Sequence, residues 1–146
     1  MQLIRHTGIY VDDLEKMKDF YCRYFDMDVA VHDTEGGKYS ETILGVPGIS
    51  LELYKLRRSD GTMVELLKAN ISKEQRKDVH SDSVAHYGCM HIALTVENLD
   101  KMYADMRFDG IRFISAPTVS PNGKAFVCFC KDPEGNYLEL VEELTA

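Results

Sequence analysis

The chain of 146 residues is 45% hydrophobic and 28% charged, which suits one compact unit or two small halves around a shared core. Its formal net charge of −7 at pH 7 argues against a nucleic-acid ligand, because phosphates repel an acidic surface. No apolar run approaches the roughly 20 residues of a membrane-spanning helix, and the N-terminus does not resemble a signal peptide, so we expect a cytoplasmic protein that does not bind membranes.

The first half of the chain predicts one strand, one helix and three further strands. Residues 3–11 alternate as a strand does, and residues 13–25 carry apolar side chains at helical spacing. Asp12 or Asp13 is a suitable N-cap for this helix. The remaining strands of this half are predicted at 27–34, 49–57 and 62–68.

The second half predicts the same β-α-β-β-β order. A strand at 89–96 precedes a helix that begins after the N-cap Asn98 and is stopped by Gly110. Three further strands are predicted at 111–114, 125–130 and 136–142. The fold class expected from this order is α+β, built from two βαβββ modules.

Both halves are copies of one sequence pattern. HTGIYVDDLEKM at 6–17 aligns without a gap with HIALTVENLDKM at 91–102, and DGTMVELL at 60–67 aligns with EGNYLELV at 134–141. Each half therefore begins with a histidine and ends with a glutamate. The matched pairs are His6 with His91 and Glu65 with Glu139.

The repeat divides the chain into a first module at 1–68, a linker at 69–88 and a second module at 89–146. The charged stretch from Ser72 to Val79 is predicted to form one short helix within the linker. We interpret the linker as a solvated connection, with a lid or a partner contact as the alternative.

Strand alternation places the four repeated residues on the sheet face away from the helices, because their sequence neighbours are mainly apolar. If the modules pack with pseudo-twofold symmetry, two histidines and two carboxylates converge. They make a ligand set for one divalent ion, such as nickel, cobalt, zinc, iron(II) or manganese. A single histidine or glutamate on a strand is more often a polar residue without a metal. The prediction therefore depends on the coincidence of residue type, face and position in both halves.

The other histidines and the cysteines are interpreted as structural or surface residues. His32, His80 and His86 have no counterpart in the repeat. The cysteines form no CxxC pair and are expected to be free thiols. They are Cys22, Cys89, Cys128 and Cys130.

At the repeated segments the chain resembles the vicinal oxygen chelate superfamily, which includes glyoxalase I, methylmalonyl-CoA epimerase, extradiol dioxygenases and the fosfomycin and bleomycin resistance proteins. The resemblance covers nearly the whole chain. Its most specific parts are HTGIYVDDLEKMKDFY at 6–21, HIALTVENL at 91–99 and DPEGNYLELVE at 132–142. It implies an open, cup-shaped mixed sheet formed by paired modules, with metal ligands at the four repeated positions.

The resemblance also implies a chemistry, in which the metal binds two neighbouring oxygens of a small molecule and stabilises an enediolate or enolate. Glu139 is the implied general base, and Glu65 is the second catalytic carboxylate. The four-ligand set resembles glyoxalase I more than the dioxygenases, which use two histidines and one carboxylate. Tyr10 stands where the family usually carries an arginine that helps to hold glutathione. We therefore expect a glyoxalase I-like lyase or isomerase whose carrier is left open.

Two alternatives remain within the same resemblance: an isomerase like methylmalonyl-CoA epimerase, and a non-catalytic drug-binding resistance protein. We also expect a homodimer, because so short a chain offers limited cover for its site. The candidate substrate-binding residues are Tyr10, Tyr54, Phe126 and Tyr137.

Overall fold

A computed structural model describes residues 4–75, 83–85, 88 and 90–144. The chain divides into two compact units, Met1–Asp78 and Val79–Ala146. Residues 76–82 and 86–87 of the predicted linker, which include His80 and His86, lie outside the described residues, as does Cys89. None of the helices in the described part has the length and hydropathy that crossing a bilayer requires.

The first unit contains the predicted elements and one additional helix. Its elements in chain order are β1 (Thr7–Tyr10), α1 (Leu14–Phe25), β2 (Asp28–Glu35), α2 (Gly37–Leu44), β3 (Leu51–Arg57) and β4 (Met63–Ala69). The strands form a sheet in the order β1-β4-β3-β2, in which β1 runs parallel to β4 and the other pairs are antiparallel. After β4, Lys73–Gln75 form a 3₁₀ turn. The rest of the stretch predicted as a short helix, residues 76–79, lies outside the described residues.

The second unit repeats this topology. Its elements are β5 (His91–Thr95), α3 (Leu99–Phe108), β6 (Thr118–Val119), β7 (Ala125–Lys131) and β8 (Tyr137–Glu143), and the sheet order is β5-β8-β7-β6. The α+β class and the βαβββ order of both modules are therefore confirmed.

The strand predicted at 111–114 is wrong in its position. Phe113 forms only an isolated bridge to Cys130, and the strand that pairs with β7 is Thr118–Val119. The segment does run beside β7, since the amide of Ile114 donates to the carbonyl of Phe129 at 2.8 Å. It bends away before β6, where Pro117 has no amide hydrogen for a ladder.

The two long helices begin at the predicted caps. The carboxylate of Asp13 accepts a hydrogen bond from the amide of Lys16 at 3.1 Å, and the side chain of Asn98 accepts one from the amide of Lys101 at 3.3 Å. Gly110 stops α3 as expected. It has a φ of 85°, and the amide of Ile111 after it donates back to Met106.

Each long helix buries one face against its own sheet. Helix α1 packs on β3 and β4, and α3 packs on β8. The fully buried side chains include Met17 and Tyr21 of α1 and Leu99 and Met106 of α3, together with Leu56, Leu66, Leu138 and Leu140 of the strands. One sheet face of each unit is therefore taken up by a helix, which leaves the opposite face for a site.

Candidate metal centre

The parallel pairing of β1 with β4 brings the first histidine to the first glutamate. Gly8 lies directly opposite Glu65 in this pairing, and His6 precedes it on the same face. The Nε2 atom of His6 lies 3.0 Å from Oε2 of Glu65. Glu65 is buried, with 9% of its surface exposed, although its strand neighbours Val64 and Leu66 pack on the opposite face.

The second unit repeats this arrangement around β5 and β8. Ala93 lies opposite Glu139, and His91 is the first residue of β5. The Nε2 atom of His91 lies 3.2 Å from Oε2 of Glu139. This pair is more open to solvent than the first, since the Glu139 side chain is 26% exposed.

The structure thus brings the four predicted ligands together as two pairs, one within each unit. Within residues 4–75, 83–85, 88 and 90–144, no group of three or more His, Cys, Asp or Glu side chains is placed to hold a metal ion. The distance available for judging a metal site is therefore the one between the histidine nitrogen and the glutamate oxygen within each pair.

That spacing fits two ligands of one ion. With metal–ligand bonds of about 2.0–2.2 Å, donors at neighbouring positions of an octahedron or tetrahedron are roughly 2.8–3.5 Å apart. The nitrogen–oxygen distances of 3.0 Å and 3.2 Å both lie in this range. An N–H···O hydrogen bond has a similar length, so each pair is compatible with either state.

His6 does not resemble a structural histidine whose hydrogen bonds are satisfied. Its Nδ1 atom is buried and has no hydrogen-bond partner among the described residues. A buried polar atom without a partner usually destabilises a fold by about 1–3 kcal/mol. The fold therefore leaves Nδ1 of His6 unsatisfied, while Nε2 of the same ring faces Glu65.

His32 is held in a different way and matches its structural interpretation. Its Nε2 atom lies 2.9 Å from Oε1 of Glu52, and its ring stacks on Tyr54 with centroids 4.1 Å apart. These contacts lie on β2 and β3 and do not involve the two histidine–glutamate pairs.

Only two of the four candidate substrate-binding residues lie on the glutamate faces. Tyr10 follows His6 and Gly8 on one face of β1 and is 55% exposed. Tyr137 precedes Glu139 by two residues on β8, and the Lys131 ammonium lies 4.7 Å from the centre of its ring.

Tyr54 and Phe126 lie on the helix faces, which corrects their expected placement. The hydroxyl of Tyr54 donates to Glu15 of α1 at 2.5 Å, and this hydrogen bond raises the pKa of the tyrosine. Phe126 lies directly opposite Glu142 in the β7–β8 pairing. The carboxylate of Glu142 accepts a hydrogen bond from the amide of Leu99 at the start of α3, so this face is the helix face. The physical reason is the alternation of side chains along a strand. Tyr54 and Phe126 lie one and three positions from Lys55 and Phe129, the residues opposite the glutamates, and an odd separation places a side chain on the other face.

Lys55, which the sequence repeat does not single out, lies directly opposite Glu65 in the β3–β4 pairing. Its Nζ atom is 3.4 Å from Oε1 of Glu65. At the matching position of the second unit, Phe129 lies opposite Glu139, and its ring contacts His91 edge-on at 5.2 Å between centroids. Alternation within β3 groups Lys55 with Leu51 and Leu53, but only the pairing with β4 reveals its carboxylate partner.

The cysteines of β7 do not belong to the candidate centre. Cys128 and Cys130 are free and buried on the helix face, and burial raises the pKa of Cys128 to about 11 and that of Cys130 to about 12. Protonated thiols are poor metal ligands. Cys22 is also free, which agrees with the expectation for these three residues.

Comparisons with known proteins agree on one family. The sequence model of the Glyoxalase/Bleomycin resistance protein/Dioxygenase superfamily matches residues 3–140. The lactoylglutathione lyase of Schizosaccharomyces pombe is 25% identical over 144 residues, which is 96% of this chain and 47% of that protein. A probable lactoylglutathione lyase of Synechocystis is 25% identical over 142 residues, covering 94% of this chain and 92% of that protein.

The chain therefore spans about half the length of the S. pombe relative and nearly all of the Synechocystis relative. Among solved structures, a glyoxalase family protein from Bacillus cereus superposes with a TM-score of 0.87 at 20% identity, over 99% of this chain and 97% of that one. This structural match supports the fold of two βαβββ modules.

Proposed function

Because the chain belongs to the Glyoxalase/Bleomycin resistance protein/Dioxygenase superfamily, we propose that it is a metal-dependent lyase or isomerase of the glyoxalase I type. Its substrate is a small molecule with two neighbouring oxygens. The observation that carries this proposal is the repeated histidine–glutamate pair, at 3.0 Å in one unit and 3.2 Å in the other.

We assign His6, Glu65, His91 and Glu139 as the ligands of one divalent ion per chain: nickel, cobalt, zinc, manganese or iron. Two neutral imidazoles and two carboxylates suit a borderline ion and offset its charge. When bound, such an ion acts as a Lewis acid that stabilises negative charge on the substrate's two oxygens. The assignment of both pairs to one ion rests on the sequence repeat and on the family resemblance.

Glu139 is assigned as the general base. It removes a proton from the carbon that carries one of the two oxygens and returns it to the neighbouring carbon, which interconverts the substrate through an enediolate or enolate. Its side chain is more exposed than that of Glu65, at 26% against 11%, and its strand partner is an uncharged ring. Glu65 lies beside Lys55 and is assigned as the carboxylate that stays with the metal.

Tyr10 and Tyr137 are the remaining candidates for contact with the substrate, since both lie on the faces of the glutamates. Tyr10 occupies the position where the family usually has a glutathione-binding arginine. The carrier of the substrate is therefore best tested with several thiols.

A homodimer is also proposed. Helix α2 and the loop after it expose apolar side chains, among them Tyr39, Ile43 and Val46. Burying such side chains against a second copy would stabilise an assembly. Light scattering is expected to give twice the chain mass at micromolar concentration, and a monomer would contradict this part of the proposal.

The experiment that tests the function is the metal content per chain, measured by mass spectrometry on protein purified without chelator and again after dialysis against EDTA. About one equivalent of a transition metal is expected. It should be lost in His6→Ala and in His91→Ala and kept in the matched control His32→Ala, whose imidazole is bound to Glu52 instead.

Turnover assays then identify the reaction. The metal-loaded protein is offered hemithioacetals of methylglyoxal with different thiols and, separately, epimers of an acyl-coenzyme A. Isomerisation of a hemithioacetal supports the glyoxalase I assignment, whereas epimerisation of the acyl group supports the epimerase. No metal in the isolated protein and no uptake of added nickel, cobalt, zinc or manganese would overturn the enzymatic proposal and favour a drug-binding protein.

A further inference from the structure

One charged residue on the Glu65 face has no charged counterpart in the second unit. Lys55 and Phe129 occupy matching positions, each directly opposite the glutamate of its own sheet. The Lys55 ammonium lies 3.4 Å from Glu65, whereas the Phe129 ring contacts His91. The repeat therefore places a cation at one pair and an uncharged ring at the other.

The contact between Lys55 and Glu65 is not that of a tight structural ion pair. Charge-assisted hydrogen bonds are usually about 2.7–2.9 Å long, and this separation is 3.4 Å. The lysine side chain is 32% exposed, so a molecule in solution can reach it. Glu65 is buried, so the lysine offsets the charge of a buried carboxylate. It does so without a close hydrogen bond, and its ammonium remains open to a second anion.

On its sheet face, Lys55 has one carboxylate directly beside it, Glu65, and a second, Asp33, lies diagonally from it on β2. In the sheet it lies between Glu65 on β4 and Val31 on β2, and along its own strand it lies between Leu53 and Arg57 on the same face. Of these four neighbours, one is an anion, two are apolar and one is a further cation. If Glu65 serves a divalent ion, the carboxylate is shared with a stronger cation.

An ammonium and a divalent ion on the same carboxylate repel each other, and a negative group placed between them relieves this repulsion. We propose that Lys55 binds a negatively charged group of the substrate, a carboxylate next to the two oxygens that face the metal. Arg57 lies on the same face, directly opposite Asp28. The substrate class is then an anionic compound with vicinal oxygens, and this inference rests on the proposed metal-dependent function.

The test uses the purified, zinc-loaded chain and two probes of the same shape. Oxalate offers one oxygen of each carboxylate to a metal and keeps negative charge on the two carboxylate oxygens beside them, and oxamide is its neutral diamide. Their dissociation constants are measured by isothermal titration calorimetry with the native chain, Lys55→Met, Lys55→Arg and the control Lys68→Met. Lys68 is an exposed lysine of β4 that points to the face opposite Glu65, so its loss changes the net charge equally.

We expect Lys55→Met to weaken oxalate binding by about tenfold or more, while oxamide binding changes less than twofold. Lys55→Arg and Lys68→Met should bind oxalate nearly as the native chain does. The zinc content of Lys55→Met is expected to equal or exceed the native value, because removing the ammonium removes a repulsion.

Two results would overturn the inference, and they differ in what else they affect. Equal oxalate binding by native and Lys55→Met chains, with zinc bound in both, would remove the role of Lys55 and leave the metal-dependent function intact. A native chain that binds no metal would overturn both proposals together.

Discussion

In the first unit the glutamate lies between a histidine and a lysine, and in the second unit it lies between a histidine and a phenylalanine. The backbone register around the two glutamates is the same. On the first strand of each unit, a small residue, glycine or alanine, lies opposite the glutamate, and on the third strand the lysine or the phenylalanine does. The repeat thus preserves the position of each carboxylate while changing its electrostatic surroundings. Two carboxylates in matching positions can in this way take different tasks.

The helix-facing sides of the same strands differ as well. Tyr54 donates its hydroxyl to Glu15 across the sheet–helix contact of the first unit. The matching residue of the second unit is Cys128, which is buried and has a raised pKa. The hydrogen bond between sheet and helix in the first unit is thus replaced by apolar packing in the second unit.

The largest expected effect comes from replacing each glutamate by glutamine. Glu139→Gln should lower kcat by about 10²- to 10⁴-fold at saturating metal, because the general base is lost while the amide oxygen can still face the ion. Glu65→Gln should act mainly on metal affinity, and its turnover should recover as metal is added. Steady-state kinetics over a metal titration check this difference. Normal kcat of Glu139→Gln with its metal bound would refute the division of tasks.

In both units, the sheet face that packs against the helix is expected to contribute to stability to the same extent. Leu66 and Leu140 follow the two glutamates directly, and both are fully buried. Replacing either by alanine leaves a cavity and should lower the free energy of unfolding by about 2–5 kcal/mol. Urea denaturation measures the change, with the exposed Phe108→Ala as a control that should lose far less. A loss below about 1 kcal/mol at one site would mean that this face is more loosely packed than its counterpart.

The two buried thiols of β7 make the stability of the second unit depend on pH, and in the first unit burial also raises the pKa of Cys22. The folded chain favours the protonated forms of Cys128 and Cys130, whose pKa values are about 11 and about 12 against an ordinary value of 9.0. Their stabilising effect is fully present below pH 9 and is lost as the pH rises through these values. We expect on the order of 2 kcal/mol per thiol at pH 11.

This loss is measured as the change in urea midpoint between pH 8 and pH 11. A Cys128→Ala/Cys130→Ala variant starts from a lower stability but should show a smaller change over this range. An identical change in the variant and the native chain would assign the effect to other groups.

The smallest expected effects concern the ends of the two long helices. Helix α1 ends at Asp26, which has a φ of 52°, whereas α3 is followed by Gly110 at 85°. This left-handed conformation strains a residue with a side chain and does not strain glycine. Asp26→Gly should therefore stabilise the chain by about 0.5–1 kcal/mol, and Gly110→Ala should destabilise it by about 1 kcal/mol. Thermal unfolding curves test both, and shifts of the same sign would contradict the comparison.

Much of the fold followed from the sequence because its signals were local and occurred twice. The caps Asp13 and Asn98, the stop at Gly110 and the face alternation around each glutamate are properties of short segments. The repeat then supported each assignment with a second copy. The structure adds that each histidine lies beside the glutamate of its own half, which the repeat does not specify.

The features that were missed depend on contacts between distant segments. Which residues of β3 share a face with Glu65 is decided by its register with β4, so the sequence alone does not show that Tyr54 faces the helix or that Lys55 faces Glu65. Helix α2 has only one buried residue, Ser40, and therefore lacks the buried apolar stripe by which helices are recognised.

The parallel pairing of β1 with β4 joins the first strand of the unit to its last. No hairpin turn holds these strands in register, and the loop that must close between them is the longest in the sheet. A divalent ion shared by His6 and Glu65 would fasten this pairing directly. Its binding energy would then add to the free energy of unfolding in proportion to the logarithm of the free metal concentration. Metal supply would in this way set the resistance of the chain to unfolding and proteolysis as well as its activity.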